Sequence, residues 1–182
     1  MKIYKIGIIG CGGIAKKMAA TLGKMKEVQR YAVASRNQEK AQAFANEWGF
    51  EKAYGSYEEL ANDPQVDLIY IATPHAMHYN NARMCIEKGK PVLCEKAFTA
   101  NARQAEELLS FAHEKKVFIT EAIWTRYMPL SLTIQDLLKK GVIGTPYTLS
   151  ANLSYPISDK ERIIRPELAG GALLDIGVYT LN

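Results

Sequence analysis

The sequence predicts an α/β protein: a doubly wound parallel sheet over residues 1–122, then the beginning of an α+β open-sheet domain over residues 123–182. Three observations carry this expectation. Short strands that are apolar throughout alternate with amphipathic helices, the pattern of a parallel sheet covered on both faces. A glycine-rich turn joins the first strand to the first helix. After Glu121 the alternation stops and a different succession of helix, strand and loop begins.

In chain order, residues 3–9 read as a buried strand, and Ile14, Met18 and Leu22 recur at helical spacing behind the glycines. Residues 29–34 form a second strand that ends at Ser35 and Arg36. Asn37 can cap a helix carrying Ala41, Phe44, Ala45 and Trp48 on one face, and Gly49 ends it. Ser56 with Glu59 makes a capping box for a short helix. Residues 66–71 are a compact apolar strand, followed by the turn Ala72-Thr73-Pro74-His75. A helix over 77–88 closes at Gly89, and residues 91–94 are the next strand. Asn101 and Gln104 open a helix with Ala105, Leu108, Leu109 and Ala112 on one face, and residues 117–120 supply a further strand.

Beyond Glu121, residues 130–139 read as a helix that stops at Gly141, residues 147–153 as a strand of a different sheet, and residues 162–169 as loop. Gly170 and Gly171 precede an apolar helix from Leu173. A lone strand at 147–153 has unpaired edges, so the second domain is expected to be incomplete, through truncation or because a partner chain finishes the sheet.

Composition bounds the function. With 182 residues, 48% of them hydrophobic, the chain can bury one sizeable core, or one domain and part of another. The net charge of +4 is spread along the sequence without aromatic–basic interleaving, so no nucleic-acid partner is indicated. Cys11, Cys85 and Cys94 are far apart and form no CxxC, which argues against a disulfide framework or a zinc site. No run reaches membrane-spanning length and no signal-peptide layout opens the chain, so a cytoplasmic setting is expected.

Gly10, Gly12 and Ala15 fall at the spacing of the dinucleotide-binding fingerprint, with alanine in the third slot. Gly10 permits the tight turn, and Gly12 lets the backbone approach a pyrophosphate. Ala15 keeps the helix near the strand, so that its first turn, with Gly13 and Ile14, can face the phosphates. Ser35 lies 23 residues after Gly12, about where an acidic residue would hold the ribose of NAD. No carboxylate stands there, and the Arg36 guanidinium could hold a 2′-phosphate, which favours NADP over NAD. A solvated arginine at a strand end is the other reading.

Thr73, Pro74 and His75, with His78 three residues on, belong at the carboxyl end of a strand, where the cofactor crevice of such sheets lies. The two histidines line that crevice or are satisfied structural groups; without an HExxH pattern or a third ligand, a metal is not indicated. Glu95 and Lys96 follow the next strand, either as a solvated pair or with the lysine aimed at the nicotinamide end. Asp175 and Tyr179 are four apart in an apolar segment, so they share a helix face. A carboxylate there needs a partner or a polar cleft. A tyrosine acting as base near neutral pH needs an adjacent cation, for which Lys96 is the candidate; alternatively, Asp175 and Tyr179 bridge two parts of the fold.

Taken together, these residues resemble the glucose–fructose oxidoreductase / inositol dehydrogenase family of NAD(P)-dependent oxidoreductases, nearest its dimeric dihydrodiol dehydrogenase branch. The likeness covers essentially the whole chain. It rests on Gly10-Cys-Gly-Gly-Ile-Ala, Ala72-Thr-Pro-His, Cys94-Glu-Lys-Ala-Phe, Glu121-Ala-Ile-Trp-Thr-Arg-Tyr-Met-Pro and Gly170-Gly-Ala-Leu-Leu-Asp-Ile-Gly-Val-Tyr. The resemblance implies a Rossmann domain followed by a large open, mostly antiparallel sheet, a sugar, polyol or vicinal diol as substrate, and a homodimer if the second domain is complete. It implies that Lys96 contacts the nicotinamide ribose and substrate. Asp175 matches a motif aspartate, Tyr179 fills the acid/base slot, and Trp124 and Arg126 line the substrate side. Two departures stand out. Position 97 is alanine where the family commonly has a proline, often cis, a change expected to alter local geometry rather than chemistry. Family members also run to nearly twice this length, so a truncated, inactive nucleotide-binding fragment or subunit is the rival reading. An NAD(P)-sensing regulator ranks lower, since no DNA-binding element is evident.

Overall fold

The computed structural model describes residues 2–182. Six strands form one parallel sheet: β1 (Tyr4–Ile9), β2 (Val28–Ala34), β3 (Lys52–Tyr54), β4 (Leu68–Ile71), β5 (Val92–Cys94) and β6 (Ile119–Glu121), in the order β3-β2-β1-β4-β5-β6. The strand order reverses between β1 and β4. That is the switch point where ligands of doubly wound sheets sit.

Helices cover both faces. On one, α1 (Gly13–Leu22) and α2 (Gln38–Trp48) bury Ala15, Ala19, Leu22, Phe44 and Ala45 against Ile6, Ile8, Val33 and Tyr70. On the other, α3 (Tyr57–Asn62), α4 (His78–Glu87) and α5 (Ala102–Lys115) bury Leu60, Cys85, Ile86, Leu108 and Ala112 against Ile9, Ile69 and Ile71. The caps read from the sequence are present. Asn37, Ser56 and Asn101 side chains accept from the amides of Lys40, Glu59 and Gln104 at 2.7, 3.2 and 3.0 Å, and Gly49 ends α2 in the left-handed conformation. Each cap satisfies an amide that helix geometry leaves unpaired.

Several expectations need correction. Strand β3 has only three residues, too few to show a period, and was not among the strands read from the sequence. The buried stripe of α1 is Ala15, Ala19 and Leu22; Ile14 is exposed and Met18 half-buried, because small residues let the helix axis approach the sheet. On α5, Leu109 is 50% exposed, and Leu108 and Ala112 make the contact.

After β6 the chain runs through α6 (Pro129–Lys139), which buries none of its residues. The strand expected at 147–153 is absent: no strand partner lies beside it among the described residues, and Tyr147 and Leu149 are 93% and 84% exposed. An isolated extended segment has no ladder to join, and apolar alternation alone does not make one. The segment read as loop holds a single turn, α7 (Glu161–Ile164), and a 3₁₀ turn, Pro166–Leu168. The apolar helix after Gly171 is a π-turn over Leu173–Gly177 that continues as α8 (Val178–Leu181). No helix among the described residues is long and apolar enough to cross a membrane.

Candidate active site

Strand register lines up the candidate residues. Ile9 pairs with Ala34 and Ile71, Ile71 with Cys94, and Cys94 with Glu121. Gly10, Ser35, Ala72, Glu95 and Ala122 therefore form one row along the carboxyl edge of the sheet.

Gly10 has φ +102°, and a Cβ there would stand 2.8 Å from the Ala72 carbonyl oxygen, so the turn needs glycine twice over. Gly12 has an ordinary φ of −86°, and a Cβ there or at Gly13 would meet nothing within 4 Å. The fold itself does not demand glycine at these two places. They leave open the approach to the first turn of α1, which has no side-chain cap and no acidic residue. Unpaired amides at the positive end of a helix, with space before them, fit a pyrophosphate. Ile14 is exposed beside them, while Ala15 is buried against the sheet.

The Ser35 hydroxyl accepts from the Asn37 amide at 3.4 Å, and Arg36 is exposed beyond it. Arg36, Ser56, Tyr57, Asn80, Asn81 and Met84 surround a depression of about 420 Å³ at the ends of β2 and β3. Burial pushes the Tyr57 phenol up from its usual range, and the Arg36 guanidinium pulls it back. A larger depression of about 680 Å³ lies between α4 and α5, beside Tyr79, Arg83, Glu107 and Phe111. It is remote from the strand ends and from the aligned row, so size does not identify the site here.

The turn after β4 is held from within. Thr73 accepts from the Asn81 side chain at 3.1 Å; Pro74 is exposed and His75 half-buried, with Nδ1 3.3 Å from the Ala169 carbonyl. His78 departs from a crevice-lining placement. It is fully buried, with Nδ1 2.7 Å from the Ala97 carbonyl and Nε2 2.8 Å from the Thr73 carbonyl. Its ring clasps the turns after β4 and β5 and offers no face to a cofactor. Burial lowers both histidines' pKa, and the nearby carbonyls oppose this in part.

Glu95 is equally enclosed. It accepts from the Tyr70 hydroxyl and from the Lys96 amide, and burial raises its pKa above the usual carboxyl range. Burial, followed by the Glu95 charge, pushes the Tyr70 phenol far up. Glu95 thus holds the turn from beneath while Lys96 leaves it on the other side. The Lys96–Ala97 peptide is cis although residue 97 is alanine, contrary to the expected change in geometry.

Lys96 is where the two parts of the chain meet. Its Nζ donates to the Asp175 carbonyl and lies 3.4 Å from Asp175 Oδ1. The same nitrogen stands 4.8 Å from the centroid of the Tyr179 ring. The Trp124 indole N–H donates to the Tyr179 hydroxyl at 3.1 Å, and the two rings meet edge to face. Arg126 donates to the Asn182 side chain at 3.0 Å. Asp175 is 3% exposed and takes a second cation, Arg162, on the same Oδ1. Burial raises its carboxyl pKa, but Arg162 and Lys96 outweigh this and hold it below the usual range. Sequence reasoning missed Arg162, since a lone arginine in a presumed loop carries no periodic or motif signal. Tyr70 and Tyr57 were also missed; Tyr70 meets Glu95 from the neighbouring strand, and Tyr57, at the start of α3, meets Arg36 from beyond β2.

Among the described residues no group of three or more His, Cys, Asp or Glu side chains is arranged to hold a metal ion. The arrangement can instead cradle a dinucleotide along the carboxyl edge and present an ammonium, a phenol and an indole N–H at one end of it.

Comparison with known proteins agrees with the fold. The chain is 42% identical over 200 residues to D-xylose 1-dehydrogenase (NADP(+)) of Hypocrea jecorina, covering 98% of this chain and 51% of that protein. It is 42% identical over 180 residues to trans-1,2-dihydrobenzene-1,2-diol dehydrogenase of Xenopus laevis, covering 98% of this chain and 54% of that protein. The chain thus spans about half the length of the curated relatives it matches. Among solved structures, KijD10, a 3-ketoreductase from Actinomadura kijaniata in complex with NADP and TDP-benzene, superposes with a TM-score of 0.82 at 29% identity. That match covers 98% of this chain and 55% of the other. An NAD binding oxidoreductase from Klebsiella pneumoniae gives 0.78 at 31% identity, covering 98% and 51%. Residues 131–182 match the GFO/IDH/MocA C-terminal domain, and residues 4–122 match the oxidoreductase family with the NAD-binding Rossmann fold. With the glycine turn, the reversed strand order and these matches in agreement, the chain belongs to the GFO/IDH/MocA oxidoreductase family.

Proposed function

We propose that this chain carries the cofactor site and the acid/base residues of an NADP-dependent oxidoreductase acting on a hydroxyl-bearing carbon of a sugar, polyol or vicinal diol. The observation that carries the reading is the meeting, at the carboxyl end of β5, of Lys96 with Asp175, 79 residues on in sequence, and with Tyr179. The names of the xylose and dihydrodiol dehydrogenases support the substrate class, and the NADP-named relative and NADP-bound neighbour support the cofactor. The division into residues 1–122 and 123–182 belongs to the same reading, with the first unit holding the cofactor and the second contributing Asp175 and Tyr179.

The residues fit the cofactor. The first turn of α1 at Gly12–Ala15 would hold the pyrophosphate, Arg36 the 2′-phosphate, and the turns at Thr73–His75 and Glu95–Lys96 would flank the nicotinamide end. When bound, NADP supplies or accepts the hydride; the protein supplies orientation and proton handling. Tyr179 takes the proton of the substrate hydroxyl in the oxidising direction and returns it in the reducing direction. The Trp124 N–H at its oxygen and the Lys96 ammonium over its ring both favour negative charge there as the proton leaves. Lys96, held by Asp175, keeps a donor for the substrate oxygen. Trp124 and Arg126 stand on the substrate side.

Two measurements test this. NADPH should bind at least about tenfold tighter than NADH, because only the former presents a phosphate to Arg36. Equal binding would remove the NADP assignment. Tyr179→Phe should keep NADPH binding and lose turnover of D-xylose and of a trans-dihydrodiol. Full turnover in that variant removes Tyr179 as the base, and binding without turnover in the unaltered chain favours a nucleotide-binding subunit.

A further inference from the structure

We propose that Arg162 is a positioning residue: it holds the Asp175 carboxylate, and through it keeps Lys96 oriented with a free donor toward Tyr179. This rests on the function proposed above.

The argument begins with a shared atom. Asp175 Oδ1 receives both cations, but unequally: Arg162 Nη1 is in close contact, whereas Lys96 Nζ lies at 3.4 Å. Lys96 also donates to the Asp175 main-chain carbonyl. The carboxylate is therefore neutralised mainly by Arg162, and the ammonium is oriented without being consumed in a tight ion pair. Two cations on one carboxylate leave a net charge of +1 beside the Tyr179 ring, the sign that a departing proton calls for.

Arg162 is delivered by backbone rather than by side-chain packing, since its own side chain is half exposed. Gly171 N donates to the Ile163 carbonyl at 2.8 Å and Gly170 N to the Arg165 carbonyl at 3.2 Å. A Cβ at Gly170 would collide with the Ile163 carbonyl, so only glycine lets the turn carrying Arg162 lie this close to the segment carrying Asp175. Asp175 N donates to the Gly171 carbonyl at 3.2 Å, which completes the frame. Without Arg162, Asp175 would be left with Lys96 alone. A buried carboxylate draws in its one remaining cation, and the lysine would lose both its geometry and its surplus charge.

The test uses Arg162→Gln and Arg162→Lys in the full chain, with Lys96→Met and Tyr179→Phe alongside. NADPH binding, thermal melting, kcat and KM are measured for each. Arg162→Gln is expected to lower kcat by about tenfold or more while NADPH affinity and melting stay near wild type, the signature of an interaction felt mainly in the transition state. Arg162→Lys should restore most of the loss. A kcat within twofold of wild type for Arg162→Gln overturns the proposal. So does a parallel loss of kcat, NADPH binding and melting temperature, which marks a structural residue. If Lys96→Met and Tyr179→Phe also leave turnover intact, the proposed function has failed instead. A readout independent of turnover is the Asp175 carboxyl followed by ¹³C NMR. Its titration should move to higher pH in Arg162→Gln, and an unmoved titration overturns the link.

Discussion

Removing the Asp63 carboxylate should cost this fold more than any other single polar truncation away from the crevice. Asp63 ends α3 and is almost fully buried. Its Oδ2 accepts from Lys52 Nζ at 2.8 Å, the Tyr54 hydroxyl at 2.6 Å and the Tyr31 hydroxyl at 3.1 Å, and its Oδ1 accepts from the Gln65 amide at 2.9 Å. One carboxylate thus ties β2, β3 and the α3–β4 connection. Asp63→Ala removes four hydrogen bonds and leaves the Tyr31 hydroxyl, on a fully buried residue, without its partner. Taking about 1 kcal/mol for each phenol and for the amide, and about 1 more for the orphaned hydroxyl, the loss is about 4 kcal/mol. For a chain of this size that lowers the melting temperature by about 8–16 °C.

The effect has a pH signature. Burial alone would raise the Asp63 carboxyl, but Lys52, Tyr54, the Gln65 amide and Tyr31 together hold it far below its ordinary value. The unfolded chain takes up that proton near pH ~4 while the folded chain does not, so the stabilisation is complete above about pH 5 and declines as pH falls below about 4. Urea titrations of wild type, Asp63→Ala and the isosteric Asp63→Asn at pH 7, 5 and 3.5 measure it. A loss under about 1 kcal/mol for Asp63→Ala at pH 7, or a wild-type advantage over Asp63→Asn that does not shrink by pH 3.5, would refute the reasoning.

The other expected outcomes separate stability from binding. Gly10→Ala, forced into a positive φ against the Ala72 carbonyl, should destabilise the fold by about 1–3 kcal/mol in a denaturant melt. Gly12→Ala should leave the melt nearly unchanged and weaken NADPH by at least about tenfold, since its Cβ meets only the space reserved for phosphate. Arg36→Ala should weaken NADPH by about 10- to 100-fold and leave NADH within about twofold, read by nucleotide fluorescence. Burial holds His78 below its unfolded value near 6.5, so its neutral ring stabilises the fold above that pH and the contribution is lost as pH falls through the lowered value. His78→Phe, which cannot be charged, should therefore show a shallower fall in stability between about pH 6.5 and 4.5 than wild type.

Much of the fold was legible because its signals are local. Asn37, Ser56, Asn101 and Gly49 mark helix ends by hydrogen bonds that span three or four residues, and these appear where the sequence places them. The stripes of α1 and α5 were misread because helical spacing does not say which of two adjacent rows meets the sheet; the close approach of α1 selected Ala15 and Ala19 over Ile14 and Met18. Strand β3 and the absent strand at 147–153 are the same lesson from opposite sides. A strand exists through its neighbours, so β3 forms beside β2 despite its brevity, and residues 147–153 do not form one despite their composition. Within the candidate site, motif and placement single out Gly10, Lys96, Asp175 and Tyr179, and the structure brings the last three together. The burial of His78 between two carbonyls matches the alternative of a satisfied structural histidine, whereas the hold of Arg162 on Asp175 carries no motif signal, since it depends on how two turns 13 residues apart come together.

The sequence by itself determined the alternating α/β order, the capped helix ends and the glycine turn, because each follows from the conformational preference or hydrogen-bonding reach of residues close together in the chain. Only the tertiary structure decided which residues share the carboxyl edge, which polar groups are sealed from water, and that Lys96 meets Asp175 and Tyr179 while Arg162 takes the other side of the carboxylate. Those facts are set by sheet register and by the packing of segments 79 residues apart, and no local pattern encodes them.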